Sequence, residues 1–113
     1  MSTRALDAID LLLTASNDAD DVLREVVAEL LKEPTIEWAG VLFLEDGSHV
    51  LGPEAGVASP SRRIGVPVSY QGAVVGELAI DGDADIPFLE RVALLISTHV
   101  LLGWDTGGEA WDP

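Results

Sequence analysis

Ile64-Gly65-Val66-Pro67-Val68-Ser69-Tyr70-Gln71-Gly72-Ala73-Val74-Val75-Gly76-Glu77-Leu78-Ala79-Ile80, residues 64–80, is the stretch from which the fold is read. Ile64, Val66, Val68 and Tyr70 alternate with Arg63, Gly65, Pro67 and Ser69. That period of two is the pattern of a strand with one apolar face. Gln71-Gly72 turns the chain, and residues 73–81 return with Val74, Gly76, Leu78 and Ile80 on one side. Two such runs joined by a two-residue turn form an antiparallel hairpin.

Working upstream, residues 36–45 (IEWAGVLFLE) are rich in branched and aromatic side chains, and Asp46-Gly47 is a hairpin turn. Residues 48–52 pair back as a short second strand. Residues 52–61 (GPEAGVASPS) hold two glycines and two prolines and read as a loop. Two helices precede the strands. The first, residues 3–15, places Leu6, Ile9 and Leu13 on one stripe, with Leu11 and Leu12 off it. Ser16-Asn17-Asp18 interrupts the pattern, and Asp20 and Asp21 suit the positive end of the next helix dipole. That helix buries Val22, Leu23, Val26, Val27, Leu30 and Leu31 and stops before Pro34.

Downstream, Asp85 is the expected N-cap of a last helix with Pro87 in its first turn. The helix reaches Leu102 or Trp104 and is apolar on nearly every side, so no whole face can be left in water. Residues 1–104 therefore form a single domain, and residues 105–113 (DTGGEAWDP) a flexible acidic tail. Trp104 and Trp111 leave two readings of that tail open: a docking peptide for a basic, grooved partner, or a frayed end.

The chain has 113 residues, 48% of them hydrophobic, which suits one domain and argues against disorder. Twenty acidic residues against six basic ones give a formal charge of −14. Such a surface repels phosphate backbones and anionic lipid, so neither nucleic acid nor membrane is expected as a partner. A basic protein would be steered toward it. The N-terminus runs directly into an amphipathic pattern containing Asp7 and Asp10, unlike a signal peptide. The longest apolar run, residues 92–102, falls short of the ~20 residues needed to span a bilayer. A cytoplasmic location is the expectation. There is no cysteine, hence no disulfide, thiolate ligand or thiol nucleophile.

The order helix, helix, hairpin, loop, hairpin, helix, together with Ile64-Gly65-Val66-Pro67-Val68 and the run from Gly72 to Ile80, resembles a GAF domain. Asp83-Ala84-Asp85 and Phe88-Leu89-Glu90-Arg91-Val92-Ala93 are similar to the family's closing helix. The likeness covers residues 18–102. It implies an α+β fold: a central antiparallel sheet with the N-terminal and C-terminal helices packed on one face. Family members carry a longer segment between the hairpins that closes over a ligand. Here it shrinks to residues 52–61, which implies a poorly lidded second face and removes the lid that cyclic-nucleotide binding needs. Bilin attachment and free methionine sulfoxide reduction use cysteine in the family and do not carry over to a chain without one.

No catalytic or metal motif emerges. Asp81-Gly82-Asp83-Ala84-Asp85 starts like a calcium loop, but Ile86 and Val92 stand where glycine and a bidentate glutamate are needed. It reads as a polar connector. His49 and His99 lack a second ligand at metal spacing. Ser59 and Ser61 lie in no nucleophile elbow, and Gly65, Gly72 and Gly76 form no phosphate loop. Arg62-Arg63, the one basic pair, is read as salt-bridged to nearby acids, with an anionic ligand as the alternative.

No metal, no cofactor and no enzymatic activity are expected. Strand alternation groups Ala39, Val41 and Phe43, and separately Ala73, Val75, Glu77 and Ala79. Placed on the unlidded face they make a ligand hollow, with Val41, Phe43, Arg63, Ser69, Val75 and Glu77 as candidate binding residues. The surplus apolar surface of the first and last helices suggests a homodimer with Ile9, Leu12, Leu95 and Val100 at its interface. The leading expectation is a non-enzymatic regulatory module that homodimerises. The alternatives are a small-molecule sensor on the open face and, remotely, an enzyme of unrecognised chemistry.

Overall fold

The computed structural model describes residues 3–15 and 19–109. The chain forms α1 (Thr3–Ala15), α2 (Ala19–Leu30), β1 (Ile36–Glu45), β2 (Ser48–Gly56), a 3₁₀ turn (Pro60–Arg62), β3 (Arg63–Tyr70), β4 (Ala73–Gly82) and α3 (Ile86–Glu109). The two turns anticipated from sequence are present. Asp46 and Gly47 have φ of 51° and 81°, and Gln71 and Gly72 have 52° and 85°. Positive φ at both central residues is what a two-residue hairpin with right-handed strand twist requires, and glycine meets it without steric cost.

The four strands make one sheet in the order β2-β1-β4-β3, antiparallel at each pairing. The hairpins are joined through their inner strands, with Ala39 opposite Ile80 and Val41 opposite Leu78. The expected α+β architecture is thus the observed one. α2 and α3 pack on one face of the sheet, and α1 packs mainly on α2 and α3. Arg4 ties α1 to the second helix, donating to Glu29 at 3.0 Å and lying 3.5 Å from Glu33.

Between helices and sheet lies the core. Val26, Leu30, Leu89, Val92 and Ile96 meet Val41, Val68, Leu78 and Ile80 there. Nine such aliphatic side chains removed from water supply the main stabilisation, about 1.5–3 kcal/mol each before entropy is counted.

Two boundaries differ from expectation. β2 runs to Gly56 rather than stopping at Gly52, with Glu54 opposite Gly40 and Ala55 opposite Ala39. Glycine and proline made this stretch resemble a loop. However, β2 is an edge strand, where a residue without N–H is tolerated at Pro53, and an irregularity opposite Val41 absorbs the extra residue. α3 likewise continues to Glu109, past the expected end at Trp104, because no proline intervenes. Residues 110–113, including Trp111, lie outside the described residues.

Candidate functional site on the open sheet face

The sheet face opposite the helices is built from three rows of side chains set by strand register. Trp38 stands beside Asp81, and Asp81 beside Arg63. In the next row Glu54, Gly40, Ala79 and Gly65 follow one another across the sheet. Leu51, Leu42, Glu77 and Pro67 form the third. The middle row is mostly backbone, so its neighbours fall inward. A side chain at Gly40 would run into the Trp38 indole, and one at Gly65 into the Glu77 carboxylate. Trp38 is 3% exposed without belonging to the helix-side core. It is covered from its own face.

Arg63 provides that cover. Its guanidinium carbon sits 4.1 Å from the indole centroid, within reach of cation–π attraction. Arg63 Nε donates to Asp81 Oδ1 at 2.7 Å and Nη2 to Oδ2 at 2.9 Å, a bidentate clamp on a fully buried carboxylate. The Ser59 amide also donates to Asp81, fastening the connector to the sheet. The Arg63 donors hold the Asp81 carboxyl below its ordinary range against the opposing effect of burial, and Arg63 is raised in turn. Trp38 Nε1 donates to Glu54 Oε1 at 2.9 Å, and His49 Nε2 lies 3.9 Å from Glu77 Oε1. Arg62 pairs with Glu37. Both arginines of the basic pair are therefore spent on acids, as the salt-bridge reading has it. With Glu54, Glu77 and Asp81 around a single Arg63, this face favours a cation over an anion.

The expected hollow is distributed differently. Arg63 and Glu77 do lie on the open face. Val41 does not; it is 0% exposed in the helix-side core. Phe43 packs against the same core, with its ring over Gly52. Val75 is also half-buried against the core, where the register slips between Val68 and Ser69. Ser69 lines a different hollow with Pro67, Glu90, Ala93 and Leu94, where β3 meets α3. The physical reason is parity. β1 is apolar on both faces, so alternation alone cannot say which set looks inward, and an irregularity between Ile36 and Trp38 resets the count at its start. Trp38 and Glu54 were missed, and Asp81, expected in a polar connector, lies instead in β4 as the buried partner of Arg63. The available signal was a tryptophan one residue out of phase with Val41 and an aspartate directly after the apolar run Leu78-Ala79-Ile80.

On the helical side, Ile9 and Val100 are also corrected. Both are 0% exposed and belong to the chain's own core. Leu12 and Leu95 are half-buried against that core. Among the described residues, the large apolar side chains turned outward on these helices are Leu11 on α1, at 69% exposure, and Leu94 and Ile86 on α3, at 67% and 43%.

This architecture is a GAF-like fold. The GAF domain of a phosphoenolpyruvate-protein phosphotransferase from Coxiella burnetii superposes with a TM-score of 0.76 at 16% identity, over 94% of this chain and 96% of that one. The corresponding domain from Acinetobacter gives 0.70 at 16% identity, over 96% and 99%. Free methionine-R-sulfoxide reductase from Neisseria meningitidis, solved with its substrate, gives 0.70 at 17% identity, over 90% and 89%. No family model matches the sequence, and no curated protein matches it. The reductases overturn the expectation of a chain without enzymatic activity. The same fold serves as an enzyme, so a missing catalytic motif does not decide the matter. Lack of cysteine removes a thiol route and leaves other chemistry open.

Proposed function

We propose that this chain is a cytoplasmic GAF-like regulatory module whose protein-docking surface is the outer face of α1 and α3. Sensory and regulatory domains among its structural neighbours support the general role. One observation carries the docking reading: Leu11 and Leu94, each two-thirds exposed, lie on two helices that contact each other. Single exposed leucines are ordinary, but large apolar side chains exposed on two adjoining helices are an interaction signal. No helix among the described residues is long and apolar enough to cross a membrane.

Homodimerisation through the terminal helices is one form of this reading, and it would rest on Leu11 and Leu94 rather than Ile9 and Val100. Light scattering at tens of micromolar tests it, comparing the wild type with a Leu11→Ser, Leu94→Ser double variant. Both changes are at the surface and should alter stability by no more than about 0.5 kcal/mol each. A wild-type chain that neither self-associates nor takes the helical peptide described below removes the docking reading. A second reading, small-molecule sensing on the open face, is favoured by the acid excess around Arg63. It predicts a melting shift with cationic metabolites, about 2.7 kcal/mol at hundredfold excess over Kd.

A further inference from the structure

Resting on that reading of the α1–α3 face, we infer that its occupant is a basic amphipathic helix rather than a second copy of this chain. Two adjoining hollows define the groove. One, of about 550 Å³, is lined by Leu6, Asp85, Ile86, Pro87, Phe88 and Arg91. The other, of about 260 Å³, is lined by Leu6, Asp7, Asp10, Arg91 and Leu95. Leu6 and Arg91 belong to both, so the two are continuous along α3 from Ile86 to Leu95. Nine helical steps of roughly 1.5 Å make that length about 14 Å, two and a half turns. A helix laid there presents apolar anchors at i, i+3 or i+4, and i+7, matching Leu6, Ile86 and Leu95.

Charge selects the occupant. Asp7, Asp10 and Asp85 line the groove against the one cation Arg91. The whole chain carries −14. A two-fold symmetric contact sets a patch against itself. Two copies would therefore bring Asp7 and Asp10 of each side together with a single arginine apiece. A helix with lysine or arginine beside its apolar stripe satisfies the same aspartates, and the long-range field speeds its approach.

The test is fluorescence anisotropy of the full chain against a labelled Leu/Lys peptide of about four turns (~14 residues) with leucines at i, i+3, i+4 and i+7. A Leu/Glu peptide of the same pattern is the control. The expected result is saturable one-to-one binding of the basic peptide alone, weakened about tenfold by Ile86→Ser, in the groove lining, and about tenfold by Asp7→Asn with Asp10→Asn, with unchanged melting of each variant. Raising the salt should weaken it further. Binding indifferent to all these substitutions would mean general attraction to an acidic surface and overturns the inference. A wild-type dimer dissolved by Ile86→Ser also overturns it while leaving the docking face intact. Absence of both binding and self-association takes down the docking face as well.

Discussion

Removing one side of the Arg63–Asp81 clamp should cost far more than removing the other. Asp81 is fully buried, whereas the Arg63 side chain is 39% exposed. Arg63→Met keeps a long apolar side chain against the Trp38 ring but leaves a carboxylate with no cation beside it. Stranding a buried charge costs about 3–5 kcal/mol, a large share of the roughly 5–15 kcal/mol that holds a domain together. Asp81→Asn keeps the shape and an oxygen for the Ser59 amide, and its freed arginine can turn to water or to Glu54 and Glu77. About 1–2 kcal/mol is the expected loss.

Acidity separates the two further. In the wild type the lowered Asp81 pKa contributes stability that is fully present above the unfolded value near 3.9 and is lost as pH falls below it through the folded value. Without Arg63, burial instead raises that carboxyl, so the penalty of Arg63→Met should shrink between pH 7 and pH 5 as Asp81 takes up a proton. Urea unfolding followed by circular dichroism at both pH values measures this. Equal losses for the two variants, or a loss for Arg63→Met that does not change with pH, would refute the account of Asp81 as a buried charge balanced by one cation.

Three further outcomes follow from the packing. Burial holds His99 below its ordinary value, and its Nδ1 is buried without a hydrogen-bond partner. Its neutral form is thus favoured in the folded chain, and stability should fall as pH drops below the unfolded value of about 6.5. The wild-type minus His99→Leu difference in unfolding free energy between pH 7 and pH 5 isolates that contribution, and a flat difference counts against it. Ile96→Ala, in the core, should cost about 2–5 kcal/mol by chemical unfolding, against less than about 0.5 kcal/mol for Leu94→Ala. Gly40→Ala should lift the indole from its seat at a cost of about 1–3 kcal/mol, with a red shift in emission that is absent when Trp38 is already phenylalanine.

How much of this was legible in the chain depended on whether the signal was local. The hairpin turns at Asp46-Gly47 and Gln71-Gly72, the strands they join, and the helical stripe of Val22, Val26 and Leu30 follow from short-range preferences and periodicity. The antiparallel sheet backed by helices follows from their order. Chain composition likewise settles the acidic charge and the missing thiol. Which face each strand turns inward is different, because one irregularity shifts a whole row and β1 is apolar on both sides. Register also brought Trp38, Glu54, Arg63 and Asp81 together from all four strands, and no spacing in the sequence encodes that meeting. The same holds for the helices. Periodicity marked Ile9 and Val100 as apolar, but only the packing of α1 on α2 and α3 decided that they are covered while Leu11 and Leu94 face water. Burial is a property of what lies opposite a residue, and what lies opposite is distant in the chain.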